Sequence, residues 1–286
     1  MVVRGVSATH GRYEGSQARI LRSGLLWTFN ALFLIFFLFP FYWQTVTALK
    51  PPAEVDALPV SWLPSHVYWG NFQTVLTDPQ FMRAVLNSVI VATTTTALAI
   101  LVGGSAAYAL AHLPLPRKRG MLVGVVSAAT IPPIALVPSL YLLFRQLQWL
   151  DTYAALIVGD LAVALPFAIW VLSNVFRAIP ADLIEQAEAD GCTPGQAVRH
   201  VVVPLAAPGL SAAGILIFII VWNEFLFALT FTLHAPMATV PLAIGGAGGW
   251  GGTLAAASEV VTEPIIVLTL VGQRGIVRGL MSGAVK

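Results

Sequence analysis

From residue 24 to residue 46 the chain runs without a single charge, through the core LLWTFNALFLIFFLFPFYW. About 20 apolar residues in a row are what an α-helix needs to cross the hydrocarbon of a bilayer. Five further stretches of the same kind follow, at about 85–109, 121–144, 153–176, 209–231 and 254–276. The charge content agrees. Lys and Arg number 15 and Asp and Glu 13, so 10% of the 286 residues are charged, against about 25% in a soluble domain whose surface must meet water. A soluble enzyme and a disordered chain are both excluded. The fold class expected is an all-α integral membrane protein with six transmembrane helices spanning 24–276. Pro132, Pro166 and Pro264 fall inside spans, where neighbouring helices re-satisfy the carbonyls that a proline frees. The first span exceeds the 7–15 residues of a signal-peptide core and no small-x-small cleavage site follows it, so it reads as an uncleaved anchor.

Basic residues give the orientation. Twelve of the Lys and Arg residues fall in the N-terminal tail 1–23, in the loop holding Arg117, Lys118 and Arg119, in the loop holding Arg177 and Arg199, and at the C-terminus; Lys50, Arg83 and Arg145 lie on the other side. By the positive-inside rule both termini are cytoplasmic, which requires an even number of spans. On the far side, 48–84 carries five prolines and a short helix predicted at 69–76, 146–152 is a tight turn, and 232–253 contains GGAGGWGG. That glycine run lacks the Lys and Ser or Thr of a phosphate-binding loop and reads as an outer loop. Cys192 is the sole cysteine and the five histidines are scattered, which leaves no disulfide and no metal motif. Trp27, Trp43, Trp62, Trp69 and Trp149 stand near span ends, as an aromatic belt does.

The most patterned segment is the loop 179–208. Pro180 suits a first helical position, and Asp182 and Glu185 place negative charge near the positive end of a helix. Gly191 stands where a helix cap needs positive φ. Thr193 and Gln196 have capping-box spacing, and Ala197, Val198, Val201 and Val202 form an apolar stripe. Pro204 and Pro208 are expected to stop this second helix before the fifth span. The segment thus specifies helix, sharp turn, helix, with carboxylates outward. A membrane-surface helix is normally cationic, so acid beside the membrane points to a protein partner with a basic groove.

EQAEADG at 185–191, followed by Pro204, resembles the cytoplasmic coupling loop of bacterial ABC importer permeases. Asn87-Ser88 with AAYALA at 106–111, Leu165-Pro166-Phe167, WNEFLFAL at 222–229 and the tail GLMSGAVK at 279–286 narrow the likeness to the second permease subunit of the maltose-type carbohydrate importers, over roughly 24–286. Gln186 and Cys192 stand where that family usually has Ala. The resemblance implies a non-catalytic subunit in the bacterial cytoplasmic (inner) membrane. Its implied partners are a homologous second permease, two ATPase subunits that hold ATP and Mg, and an extracytoplasmic solute-binding protein; no cofactor sits in this chain. It implies an ATPase-coupling loop at 179–208 with Asp182, Glu185, Ala187, Asp190, Gly191 and Pro204, in which Glu185 meets a basic residue. It also implies a tail, Ser282, Gly283 and Lys286, that reaches between the ATPase subunits. A sugar or oligosaccharide is the expected cargo, with glycerol-3-phosphate or another small polar solute as the alternative. An ion-coupled secondary transporter is the rival of another class; it calls for internal inverted repeats and midplane acids, and no repeat is visible.

Acids inside a bilayer are expensive and mark function. Asp160, Glu224, Glu259 and Glu263 qualify. At a rise of about 1.5 Å per residue they fall about 7–13 Å below the outer ends of their spans. With Asn223 they form the candidate substrate pathway, with Glu224 and either Asp160 or Glu263 as the expected sugar contacts; bonding between helices is the rival reading.

Overall fold

The structure is a computed structural model that describes residues 10–246 and 251–284, with side chains described for 23–246 and 251–273. Every regular element among the described residues is a helix. The helices that organise the chain are α1 (His10–Ala48), α2 (Gly70–Thr77), α3 (Pro79–His112), α4 (Lys118–Ala129), α5 (Pro133–Gln146), α6 (Tyr153–Arg177), α7 (Ala181–Ala189), α8 (Pro194–Trp222), α9 (Leu226–Phe231), α10 (Val240–Gly246) and α11 (Gly252–Ala284). Five are long and apolar enough to cross a membrane: α1 over Ser23–Ala48, α3, α6, α8, and α11 over Gly252–Gln273. The pair α4 and α5 makes the sixth when taken as one bent span. The predicted helix at 69–76 is α2.

Three departures from the sequence reading have physical causes. The third span is not one helix: α4 and α5 meet at 86°. Pro133 forces its predecessor out of the helical region, and Pro132 is accordingly extended at φ −60, ψ 131. The fifth span does not run 209–231, because α8 ends at Trp222 and the chain breaks before α9. Pro204 and Pro208 do not stop the second helix of the 179–208 loop, which continues into the membrane span as α8. A π turn at Val198–Val202 widens the helix just ahead of Pro204, whose ring would otherwise meet the carbonyl one turn back. α3 carries a similar π turn at Ala99–Gly103.

By contact, one compact unit takes in the chain to Asn71 together with Gly251–Ala256, and the other takes in Phe72–Trp250 and Ala257–Lys286. In the first, α1 is exposed from Leu25 through Phe41. Its C-terminal end is tied down: Asn71 Nδ2 donates to the carbonyls of Ala48 and Lys50 at 2.8 and 2.9 Å. These carbonyls lie past the reach of the intrahelical ladder. Lys50 is buried, donates to the Ser61 carbonyl at 2.6 Å and stands 4.5 Å over the Trp43 ring.

In the second unit α6 is the central strut, packed by α3, α4, α8 and α9. Asp78 caps the start of α3 by accepting from Gln80 N–H, with Pro79 in the first turn; Thr152 starts α6 in the same way. Small residues let backbones approach closely, as bilayer packing favours. A methyl added at Gly103 of α3 would lie 2.9 Å from Ala168 Cβ, and one at Gly209 of α8 would lie 2.5 Å from Val175 Cγ1. Two apolar clusters result. One, at the Tyr153 end, holds Leu156, Val221, Trp222, Phe227 and Phe231. The other, at the Arg177 end, holds Leu172, Phe176, Ile184, Ala197 and Val202.

Candidate functional site

The Arg177 end carries the hairpin. Pro180 caps α7 from one position before the predicted place. Asp182, Glu185, Glu188 and Asp190 are exposed, while Ile184 and Ala187 are buried against the second cluster. Ala187 is therefore part of the footing of the hairpin rather than of its outer surface. The turn that follows closes with two hydrogen bonds, Gly191 N–H to the Glu188 carbonyl and Cys192 N–H to the Ala187 carbonyl, each 3.0 Å. This is the Schellman arrangement, and it requires a left-handed residue; Gly191 supplies it at φ +92. Cys192 packs on the same cluster, the apolar contact that accompanies such a turn and a role not read from its sequence position. Thr193 and Gln196 form the reciprocal capping box that opens α8. The product is a stiff two-helix knob with an acidic outer face and an apolar foot. Pro204 is exposed inside α8. Ser282 and Gly283 lie in the final stretch of α11, outside the described side chains, and Lys286 lies outside the described residues altogether. So do residues 247–250 of the glycine run.

The Tyr153 end is built around Asn87-Ser88. Asn87 Nδ2 donates to the carbonyls of Pro236 and Ala238, both at 2.9 Å, and Tyr153 Oη donates to Asn87 Oδ1 at 2.7 Å. Val240 N–H donates to Ser88 Oγ at 2.9 Å. These bonds moor the 235–240 segment on α3. Beneath them Ser88, Asp160, Glu224 and Thr239 line one small cavity, with Val91, Leu156, Val221 and Ala228 as its apolar wall. It has room for about one water molecule, so it does not admit a sugar ring. Glu224 sits in the break between α8 and α9 and accepts from the N–H groups of Phe227 and Ala228 at 2.7 and 3.1 Å, so its charge is spent on starting α9. Asp160 is 5% exposed, and its Oδ1 has no hydrogen-bond partner among the described residues.

Of the five predicted pathway residues, the structure brings Asp160 and Glu224 together. Asn223 is exposed and donates back to the Ile219 carbonyl. Glu259 is half-buried and Glu263 exposed on α11, and neither lines this cavity. The depth estimate assumed unbroken spans, and α8 is broken at the residue that mattered. Ser88, Tyr153 and Thr239 were missed as site residues. The signal for the first was present in Asn87-Ser88, an amide and a hydroxyl at the start of an apolar run.

A third polar contact closes the same end. Asp151, itself at φ 60, accepts from Leu233 N–H at 2.6 Å, His234 N–H at 2.9 Å and His234 Nδ1 at 2.7 Å. Burial pushes its carboxyl up, but the bonds from His234 and Leu233 outweigh this and hold it below the usual aspartate range. A depressed carboxylate adds stability above its unfolded pKa and loses it as pH falls through the folded value. The 232–238 segment is therefore expected to loosen below about pH 4. Thermal unfolding of wild type and Asp151→Asn from about pH 7 to about pH 3 checks this: wild type leads at neutral pH and the two curves converge in acid. Parallel curves would contradict it.

Long apolar spans around a central strut, a rigid acidic knob at one end and a moored polar cap at the other are parts of a membrane permease rather than of an enzyme. The family model described as binding-protein-dependent transport system inner membrane component matches residues 99–280, and the chain belongs to that family, whose members are the non-catalytic, multi-pass permease subunits of ABC transporters. The trehalose transport system permease protein SugB of Mycobacterium tuberculosis is 42% identical over 255 residues, 87% of this chain and 92% of that one. The sulfoquinovosyl glycerol transport system permease protein SmoH of Agrobacterium fabrum is 36% identical over 279 residues, 96% and 95% of the two chains. Among solved structures, a bacterial ABC transporter involved in the import of the acidic polysaccharide alginate superposes with a TM-score of 0.76 at 20% identity, covering 95% of this chain and 99% of that chain. The six-span all-α fold class stands.

Proposed function

We propose that this subunit forms half of the translocation pathway of an ATP-driven importer for a sugar or oligosaccharide, pairing with a second permease and receiving cargo from an extracytoplasmic binding protein. The observation that carries the reading is the α7–α8 hairpin. A ligand or motor biases two arrangements of spans only through differential contact with them, and a stiff connector transmits that bias where a floppy loop would not. Glu185, exposed on the outer face of α7, meets a basic groove of the ATPase, and Gly191 aims the knob. The tail with Ser282, Gly283 and Lys286 reaches toward the same partners. Two of the relatives are named for trehalose and for sulfoquinovosyl glycerol, which favours a sugar over glycerol-3-phosphate. Asn223 and Glu263, both exposed, are the members of the predicted pathway free to meet cargo. The Lys and Arg distribution supports a cytoplasmic position for both termini and the hairpin.

Co-expression with the ATPase and the second permease tests the reading. Glu185→Lys sets like charge against a basic groove, and recovery of the ATPase with the membrane subunits is expected to fall at unchanged membrane yield; undiminished recovery would refute the contact. In sealed cells, a membrane-impermeant thiol reagent should modify a cysteine placed at Ser65 and spare one at Lys118. The reverse pattern would invert the orientation.

A further inference from the structure

We propose that the cavity between α3, α6 and the α8–α9 break binds one monovalent metal cation, sodium by size, held by Asp160 and completed by Ser88, Thr239 and Glu224. Four observations converge on it. Asp160 is more than nine-tenths buried, and its Oδ1 has no hydrogen-bond partner among the described residues. Thr239 lines the same cavity, and its Oγ1 is likewise buried without a partner. Every polar side chain on the wall ends in oxygen, the donor type that hard cations take. No Lys, Arg or His lines the cavity among the described residues, and the ionisable neighbour acting on Asp160 is Glu224, of the same sign.

The accounting of charge selects the occupant. The Glu224 carboxylate is met by the N–H groups of Phe227 and Ala228. Asp160 Oδ1 has no such partner among the described residues, and an uncompensated charge in the interior is costly. A trapped water would bridge Asp160 and Thr239 but leave that charge standing. A proton on Asp160 would cancel the charge and give Thr239 Oγ1 a donor, but it would leave Ser88 and Glu224, which line the same space, outside the bond. A cation touching both oxygens answers both needs, and the space for about one water suits a bare alkali ion. α8 ends at Trp222, beside the cavity wall at Val221, so the negative end of its dipole adds to the attraction. Broken helices inside a bilayer hold sodium in this way in other transporters. Ser88 Oγ already accepts from Val240 N–H, so an ion there ties the moored 235–240 segment to α6.

The assembled transporter, purified in detergent at fixed pH and ionic strength, provides the test. Its unfolding midpoint is followed as choline chloride is replaced by sodium or potassium chloride, and bound radioactive sodium is counted by equilibrium dialysis. Wild type is expected to bind one sodium ion per copy of this chain, with a saturable rise of about 3–5 °C once sodium exceeds its dissociation constant roughly tenfold. Thr239→Val should weaken the response and Asp160→Asn should abolish it. If Asp160→Asn fails to assemble, the wild-type titration and Thr239→Val decide. A midpoint that responds to pH but not to sodium would assign the site to a proton, and a midpoint indifferent to both would assign it to water; either result overturns the proposal. Equal sodium binding by wild type and Thr239→Val would also overturn it.

Discussion

Uptake is expected to be lost in Gly191→Val while the protein still inserts and folds. The cost is confined to the backbone: a side chain at 191 meets nothing within 4 Å, but the residue sits at φ +92. Holding an L-residue there costs about 1–3 kcal/mol, more at a β-branched one, and the turn relaxes instead. The two turn bonds to Glu188 and Ala187 then go, and α7 swings away from α8. Ile184 and Ala187 hold α7 to the cluster by modest area, so a small strain misdirects the acidic face that Glu185 presents. Asparagine tolerates the left-handed region, so Gly191→Asn should keep most of the uptake that Gly191→Val loses. ATPase stimulation by loaded binding protein, uptake and membrane yield measured together separate coupling from folding. Uptake by Gly191→Val equal to wild type would remove the turn from the mechanism.

The second large effect is on stability. Gly209→Leu should lower the unfolding midpoint by about 5–10 °C, or prevent accumulation in the membrane. The first added carbon alone would stand 2.5 Å from Val175 Cγ1 and 2.7 Å from Cγ2, so α6 and α8 must part. Overpacking of this kind costs about 1–3 kcal/mol for smaller insertions, and each kcal/mol moves the midpoint by about 2–4 °C in a chain of this size. Gly209→Ala is the milder case, and Val175→Ala should rescue it by vacating the contact, a coupling that neighbouring residues show and distant ones do not. A Gly209→Leu protein with the wild-type midpoint would mean that the helices do not pack this closely.

The hairpin was legible because its signals are local. Gly191, the Thr193–Gln196 box and the acids of α7 each act on neighbours within a turn, and all are found where their chemistry requires. The sharp bend between α4 and α5 was also written in the chain, in Pro132-Pro133. It was passed over because a bilayer forgives single prolines, although a proline pair fixes an extended residue that no neighbouring helix can restore. Pro204 and Pro208 led to the opposite error: the π turn ahead of them absorbs what a regular helix could not. The break at 223–225 left little trace, since apolar residues flank it on both sides and hydropathy cannot see it. Its cue was a carboxylate three residues ahead of the N–H it accepts from. The cavity was beyond sequence reasoning for another reason. Ser88, Asp160, Glu224 and Thr239 come from separated stretches, and which of several membrane acids meet depends on where helices bend.

The continuity of α8 has a mechanical meaning. One helix of 29 residues, about 43 Å long at 1.5 Å per residue, carries the capping box of the hairpin at its first turn and the Glu224 break just past its last. A tilt of about 10° about a point near its middle would carry each end through about 4 Å by that length. The two polar ends of the protein are thus the two arms of one lever, with the close crossing at Gly209 and Val175 as its fulcrum. A fulcrum set near the middle of the helix returns a stroke at the knob as one of similar size and opposite sense at the far mouth.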